Sequence, residues 1–322
     1  MERSVDPTTA LKVGLKVDSD ALPPNILQRV DLKSPATTVA LLKMNAIVGL
    51  QGEVDADNRL RRLGITCALC HSTVDNSVMP GIGRRKDGWP NRELNVGAIV
   101  ALSEEVPAAQ KAVYNSWGPG KYDPRFNIDG KNTPLVLPPA YGLAEIKNET
   151  YTAEGPISYW NAYVAVTQMH GHGNFSDPRL GIEIRQSPDM VGPKLAALRT
   201  YQHSLQAPPP PAGSFDAAAA ERGRVVFGRS CAGCHVGTTS TDNNDGKLHA
   251  PAETGMDAAY AARTANKAYR TTPLRGLWQH PPYFHDGSKA TLEDVVEHYD
   301  SVRSLGLTPA QKADVVQFLK SL

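Results

Sequence analysis

Several stretches of the chain place apolar residues at helical spacing behind a recognisable start signal. "DAAAAERGRVVFGRS" (216–230) offers Asp216 as an N-cap. "TLEDVVEHY" opens at Thr291 with the pattern of a capping box. "TPAQKADVVQFLKSL" has Thr308 as N-cap, Pro309 at the first helical position and Gln311 two residues later, with Val315, Val316, Leu319 and Leu322 on one face. Upstream, "SPATTVALLKMNAIVG" starts a helix at Ser34 and Pro35, and "NAYVAVTQMHG" follows a Gly-Pro turn at 155 and 156. "VGLQGEVDADNRLRRLGI" alternates on both sides of "DADN", which predicts a small hairpin.

Elsewhere the periodicity fades. Many of the 27 Gly and 25 Pro residues fall in 115–145 and predict long ordered loops rather than sheet. The run "LQAPPPPAGSF" (205–215) reads as a stiff polyproline spacer. It divides the chain into an N-terminal domain, 1–206, a linker, 207–213, and a C-terminal domain, 214–322. The expected fold is mainly α, in two domains with long irregular loops and one small β-hairpin.

Composition adds limits. Hydrophobic content of 41% and charged content of 21% suit a globular chain, and a net charge of +1 argues against nucleic acid as a partner. The clusters "RLRR" (59–62) and "GRRK" (83–86) are either solvated loop charges or docking points for an acidic redox partner. No stretch has the length of a transmembrane helix. The N-terminus lacks the basic-then-apolar pattern of a signal peptide, so the chain reads as a mature one whose signal was removed or replaced.

The chemistry lies in "CALCH" (67–71) and "CAGCH" (231–235), which between them hold all four cysteines. A zinc site needs its ligand pairs close together, and about 160 residues separate these two. A thioredoxin-like pair needs no histidine directly after the second cysteine. C-x-x-C-H is the attachment signature of c-type haem. Cys67 and Cys70, then Cys231 and Cys234, would tether two porphyrins, with His71 and His235 as proximal iron ligands. Haem of this kind is attached outside the bacterial cytoplasm, which predicts a periplasmic or otherwise extracytoplasmic location. The segment "TPLRG…PPYFHDGS…TLEDVV" within 269–300 and, more weakly, "CALCH…VDN…GIGR…GW…N" are similar to the bacterial di-haem cytochrome c peroxidases and their MauG-like relatives.

That resemblance implies two cytochrome c-like haem domains and assigns roles residue by residue. The position fourteen residues after His285, a distal iron ligand in the family, is Tyr299 here, with His298 as its rival; His285 itself is expected to hydrogen-bond near the haem rather than ligate it. Where the peroxidases carry a displaceable histidine in "IGH", this chain has Arg84, which cannot ligate iron but could stabilise a bound peroxide or a haem propionate. The family's catalytic glutamate has no visible counterpart. Replacement ligands are sought in "TQMHGHG", where Met169, His170 and His172 cluster, and at Met79; His249 and Met256 have a poorer claim. Trp117 falls at the family's inter-haem tryptophan, an electron relay. Asn95, with the backbone carbonyls of His280 and Pro282, corresponds to the family's calcium position, whereas "DNNDG" (242–246) reads as a turn.

Two functions follow. A di-haem electron carrier serves a donor or acceptor protein or a quinone-linked chain, and the missing histidine and glutamate favour it. A peroxidase or MauG-like oxygenase keeps one haem open to peroxide or oxygen. Tyr299 favours this second reading, because a phenolate stabilises oxidised iron and depresses the potential. Axial ligation outweighs surface features here: it moves a haem potential over about 0.8 V.

Overall fold

The computed structural model describes residues 5–322. The chain divides into two compact units, Met1–Ala140 and Tyr141–Leu322. The boundary therefore falls well before the proline run. Residues 141–206, expected with the N-terminal domain, belong to the second unit. Within that unit the run is tied down rather than acting as a spacer: the Trp278 indole donates to the Pro208 carbonyl at 3.3 Å, and Gly142 N donates to Leu205 O at 2.8 Å.

In the first unit, short helices alternate with short strands. α1 (Pro7–Lys12) is followed by β1 (Val17–Asp18), α2 (Pro35–Lys43), the hairpin β2 (Leu50–Val54) and β3 (Leu60–Ile65), and α3 (Ala68–His71). Then come β4 (Ser72–Val74), β5 (Ile82–Gly83), β6 (Arg85–Asp87), α4 (Val96–Ala101), α5 (Ala108–Asn115), β7 (Lys121–Tyr122) and β8 (Leu135–Val136). The hairpin forms where alternation predicts it. The Asp55 carboxylate accepts from Asp57 N and Arg59 N, and this Asx turn reverses the chain. Sheet is more frequent than the single hairpin expected: β1 pairs with β5 in parallel, β4 with β6 and β7 with β8 antiparallel. The core gathers Val17, Leu41, Leu42, Ala46, Ile47 and Ile82.

The second unit begins with α6 (Ile157–Tyr163), which runs on into a π-helical turn, Val164–Gln168. β9 (Phe175–Asp177) and β10 (Ile182–Ile184) pair antiparallel, and α7 (Leu195–Ser204) precedes the proline run. α8 (Ala217–Ser230), α9 (Pro251–Thr254), α10 (Leu292–Arg303) and α11 (Pro309–Lys320) complete the chain. The start signals read from sequence are all in place: Asp216 caps α8, and full capping boxes open α10 at Thr291 and α11 at Thr308. α8 and α11 cross so closely at Gly223 that a Cβ there would lie 2.0 Å from the Asp314 carbonyl oxygen. The Arg222 guanidinium clamps the same crossing through two bonds to the Asp314 carboxylate. Leu277, Leu292, Val296, Val315, Val316 and Leu319 form the core beneath.

Candidate haem-binding sites

Each C-x-x-C-H segment folds as one tight turn. In the first unit β3 leads directly to Cys67, which caps α3, and His71 N donates to Cys67 O at 3.1 Å. In the second unit Cys231 closes α8, and His235 N donates to Cys231 O at 3.1 Å. Spacings of three and four residues on one turn put both thiols and the imidazole on a common face. Gly49 lets α3 approach its support: a Cβ there would lie 2.2 Å from Leu69 N.

The histidines test whether these segments fit a haem. His71 Nδ1 lies 3.0 Å from the Pro138 carbonyl oxygen, and His235 Nδ1 lies 3.0 Å from that of Ser240. A carbonyl only accepts, so Nδ1 carries the proton in both rings. Nε2 is left with its lone pair, the form that binds a metal. Burial holds both imidazoles below their usual pKa, hence neutral. None of the four cysteines is paired in a disulfide. Burial pushes Cys70 up to about 12 and Cys231 to about 11, so neither pair has the activated thiolate of a redox-active dithiol. The donor set and the tautomers fit c-type haem.

The distal candidates separate clearly. His298 and Tyr299 both lie on α10. His298 Nε2 donates to the Thr254 carbonyl at 2.8 Å, so this imidazole ties α10 to α9. The Tyr299 hydroxyl has no protein hydrogen-bond partner among the described residues, and its ring packs edge-on against Phe284 at 5.9 Å. Burial, and then the neighbouring Cys234 and Cys231, push its phenol up to about 12. His249 is engaged at both nitrogens, with Asp242 and with Glu253. His285 is buried under Tyr269, ring centroids 4.5 Å apart. The Tyr269 hydroxyl donates to Asp257 O at 2.8 Å, so it accepts from His285 Nε2 at 3.0 Å. His285 is thus fixed with its proton on Nε2.

His170, exposed and at φ +53°, and His172 follow the π-helical turn in the second unit, not in the unit that carries CALCH. In the first unit Met79 is half-exposed in the turn before β5. The Arg84 guanidinium is 71% exposed and reaches only Asp20, at 3.8 Å. It faces solvent in the bare chain. Asn95 caps α4 by accepting from Ala98 N at 2.9 Å. Trp117 is buried, donates to Asn132 at 2.9 Å, and packs edge-on against Tyr114 and Phe126.

One group escaped the sequence reading. "DNNDG" is a short 3-10 turn, Asp242–Asp245, but it also delivers the buried Asp242 carboxylate toward Cys234. A Cys234 sulfur, an Asp242 oxygen and a His249 nitrogen all lie within 4.8 Å of one another. The oxygen-rich composition of the loop was visible; its destination was not.

Residues 220–322 match the cytochrome c family. The chain is similar to methylamine utilization protein MauG of Methylophilus methylotrophus, 28% identical over 83% of this chain and 79% of that one. It is 30% identical to the MauG of Methylorubrum extorquens, over 83% of this chain and 75% of the relative. A shorter match, 33% over 24% of each chain, is to cytochrome-c peroxidase IdrP1 of Denitromonas iodatirespirans. No helix among the described residues is long and apolar enough to cross a membrane.

Proposed function

Because the chain belongs to the family of MauG and the di-haem cytochrome c peroxidases and carries covalently attached c-type haem, we propose that it is a two-haem oxidoreductase acting on peroxide or oxygen at its first centre. Haem supplies one-electron redox chemistry and, where a coordination position is open, reactivity toward peroxide or oxygen. His71 and His235 each present a neutral Nε2 to iron. Their Nδ1 protons are held by Pro138 and Ser240, which fixes the ring orientation.

The observation that carries the reading is the division of labour on α10. His298 is spent on Thr254, and Tyr299 is left with an unpartnered phenol oxygen beside Cys231 and Cys234. Tyr299 would be the group that holds the second haem together with His235. His71 is the sole histidine of residues 1–140, and Arg84 cannot ligate. A haem held by His71 would therefore lack a second histidine from its own unit, which leaves room for peroxide or oxygen.

Sequence alone ranks electron transfer first; membership in this family puts the peroxidase or oxidase reading ahead. Met79 supports the carrier as a second reading, because it offers an exposed thioether in the turn before β5 of the unit that carries CALCH. Either way a redox protein or a quinone-linked chain exchanges the electrons, in an extracytoplasmic compartment. Ferric electron paramagnetic resonance tests the choice. One high-spin and one low-spin signal, with rapid bleaching by hydrogen peroxide, are expected for the enzyme. Two low-spin signals and no reaction with peroxide would make it the carrier.

A further inference from the structure

Charge near the two centres differs in sign. Beside His71, Arg92 Nη1 donates to Leu137 O at 2.6 Å, next to the Pro138 carbonyl that holds the imidazole. Beside Cys234 lies the Asp242 carboxylate, 1% exposed and within 4.8 Å of the sulfur, with Glu253, Arg303 and Lys247 acting on it as well. Its Oδ2 faces His249 Nε2 at 3.1 Å, while its buried Oδ1 has no hydrogen-bond partner among the described residues. His249 is held in turn by Glu253, at 3.0 Å, whose charge Arg303 answers at 3.5 Å. The arrangement is a carboxylate steered by a histidine that a second carboxylate orients.

We infer that Asp242, positioned by His249, is a buried negative charge that lowers the reduction potential of the haem attached through Cys231 and Cys234, in addition to what its axial ligands do. The inference rests on the reading that both C-x-x-C-H segments carry haem. Ferric haem has one more positive charge than ferrous haem, so a neighbouring anion stabilises the oxidised state and lowers the potential. Burial matters because water and salt screen such a charge little. The same trio has the spacing of a metal site, but a thioether at Cys234 gives up the thiolate that such a site needs. Asp242 is a positioning residue in this sense: it acts on the iron through the field, with no bond to it.

The test is spectroelectrochemical titration of the mature two-haem protein, which resolves both midpoints. Asp242→Asn removes the charge and keeps the shape. It should shift one midpoint positive by about tenfold in the reduction equilibrium, 59 mV for one electron, and leave the other in place. Should that variant fail to mature, His249→Gln keeps the carboxylate but replaces the imidazole that steers it; the same midpoint should move alone. A midpoint unmoved in the variant that matures, or both midpoints moving together, would overturn the inference. A mature protein bearing a single haem overturns the two-haem reading first, and this inference with it.

Discussion

His298 donates through Nε2 to the carbonyl oxygen of Thr254, 2.8 Å away, and thereby fastens α10 to the end of α9. The next residue, Tyr299, has no hydrogen-bond partner for its hydroxyl among the described residues, so adjacent side chains on one helix make separable predictions. Tyr299→Phe should alter the ferric spectrum of the second haem and leave thermal stability nearly unchanged. His298→Gln should do the reverse, costing on the order of 1 kcal/mol for the lost bond with an unchanged spectrum. Parallel absorption spectra and melting curves of the two variants separate these outcomes; a spectral change confined to His298→Gln would exchange the roles.

Trp117 has two jobs that substitution can separate. Its ring is wedged between Tyr114 and Phe126, and its indole N–H is tied to Asn132. Trp117→Phe keeps the wedge and loses the N–H bond, a cost of about 1 kcal/mol. If the residue relays electrons, the variant should also exchange electrons between the haems more slowly while both haem spectra stay intact. An unchanged rate after flash photolysis would leave Trp117 a packing residue.

The crossing of α8 and α11 depends on the bare Cα of Gly223. A methyl group there meets backbone, the Asp314 carbonyl, at 2.0 Å, and backbone cannot swing aside as a side chain can. Gly223→Ala should destabilise the second unit by about 1–3 kcal/mol or more. Gly228→Ala on the same helix meets nothing within 4 Å and should be neutral or slightly stabilising. Thermal unfolding of the two variants checks the contrast.

Acid sensitivity has a defined source in the second unit. Arg179 grips the Asp177 carboxylate through two bonds of 3.0 and 2.6 Å, the Tyr159 hydroxyl donates to the same group, and together they hold its carboxyl down to about 2. A carboxylate depressed on folding contributes stability that is complete above its unfolded pKa of about 3.9, and that is lost as pH falls through the folded value. Asp177→Asn should therefore be less stable than the parent at neutral pH. The difference should shrink between about pH 4 and pH 2, as read from denaturant midpoints across that range. A gap independent of pH would point to packing instead of charge.

Much of this architecture was legible because its signals are local. Thr291, Thr308 and Asp216 bond backbone amides two or three residues ahead, and the Asp55 turn closes within four residues. The C-x-x-C-H turns are equally short-range, so the cofactor could be read at once. What escaped depends on distant partners. The proline run looked like a spacer because nothing in it announces Trp278, seventy positions on, as its anchor. Strands such as Val17–Asp18 and Ile82–Gly83 are two residues long, too short for any periodicity. The hydrogen bond that engages His298 goes to Thr254, forty-four residues away, and the approach of Asp242 to Cys234 comes from a loop several residues on.

Mass spectrometry of the natively matured chain, intact and after proteolysis, probes the account at its root. It predicts two covalent haem adducts, one on the peptide holding Cys67 and Cys70 and one on the peptide holding Cys231 and Cys234. A mature protein with both cysteine pairs unmodified, or with only one of them carrying haem, would contradict it.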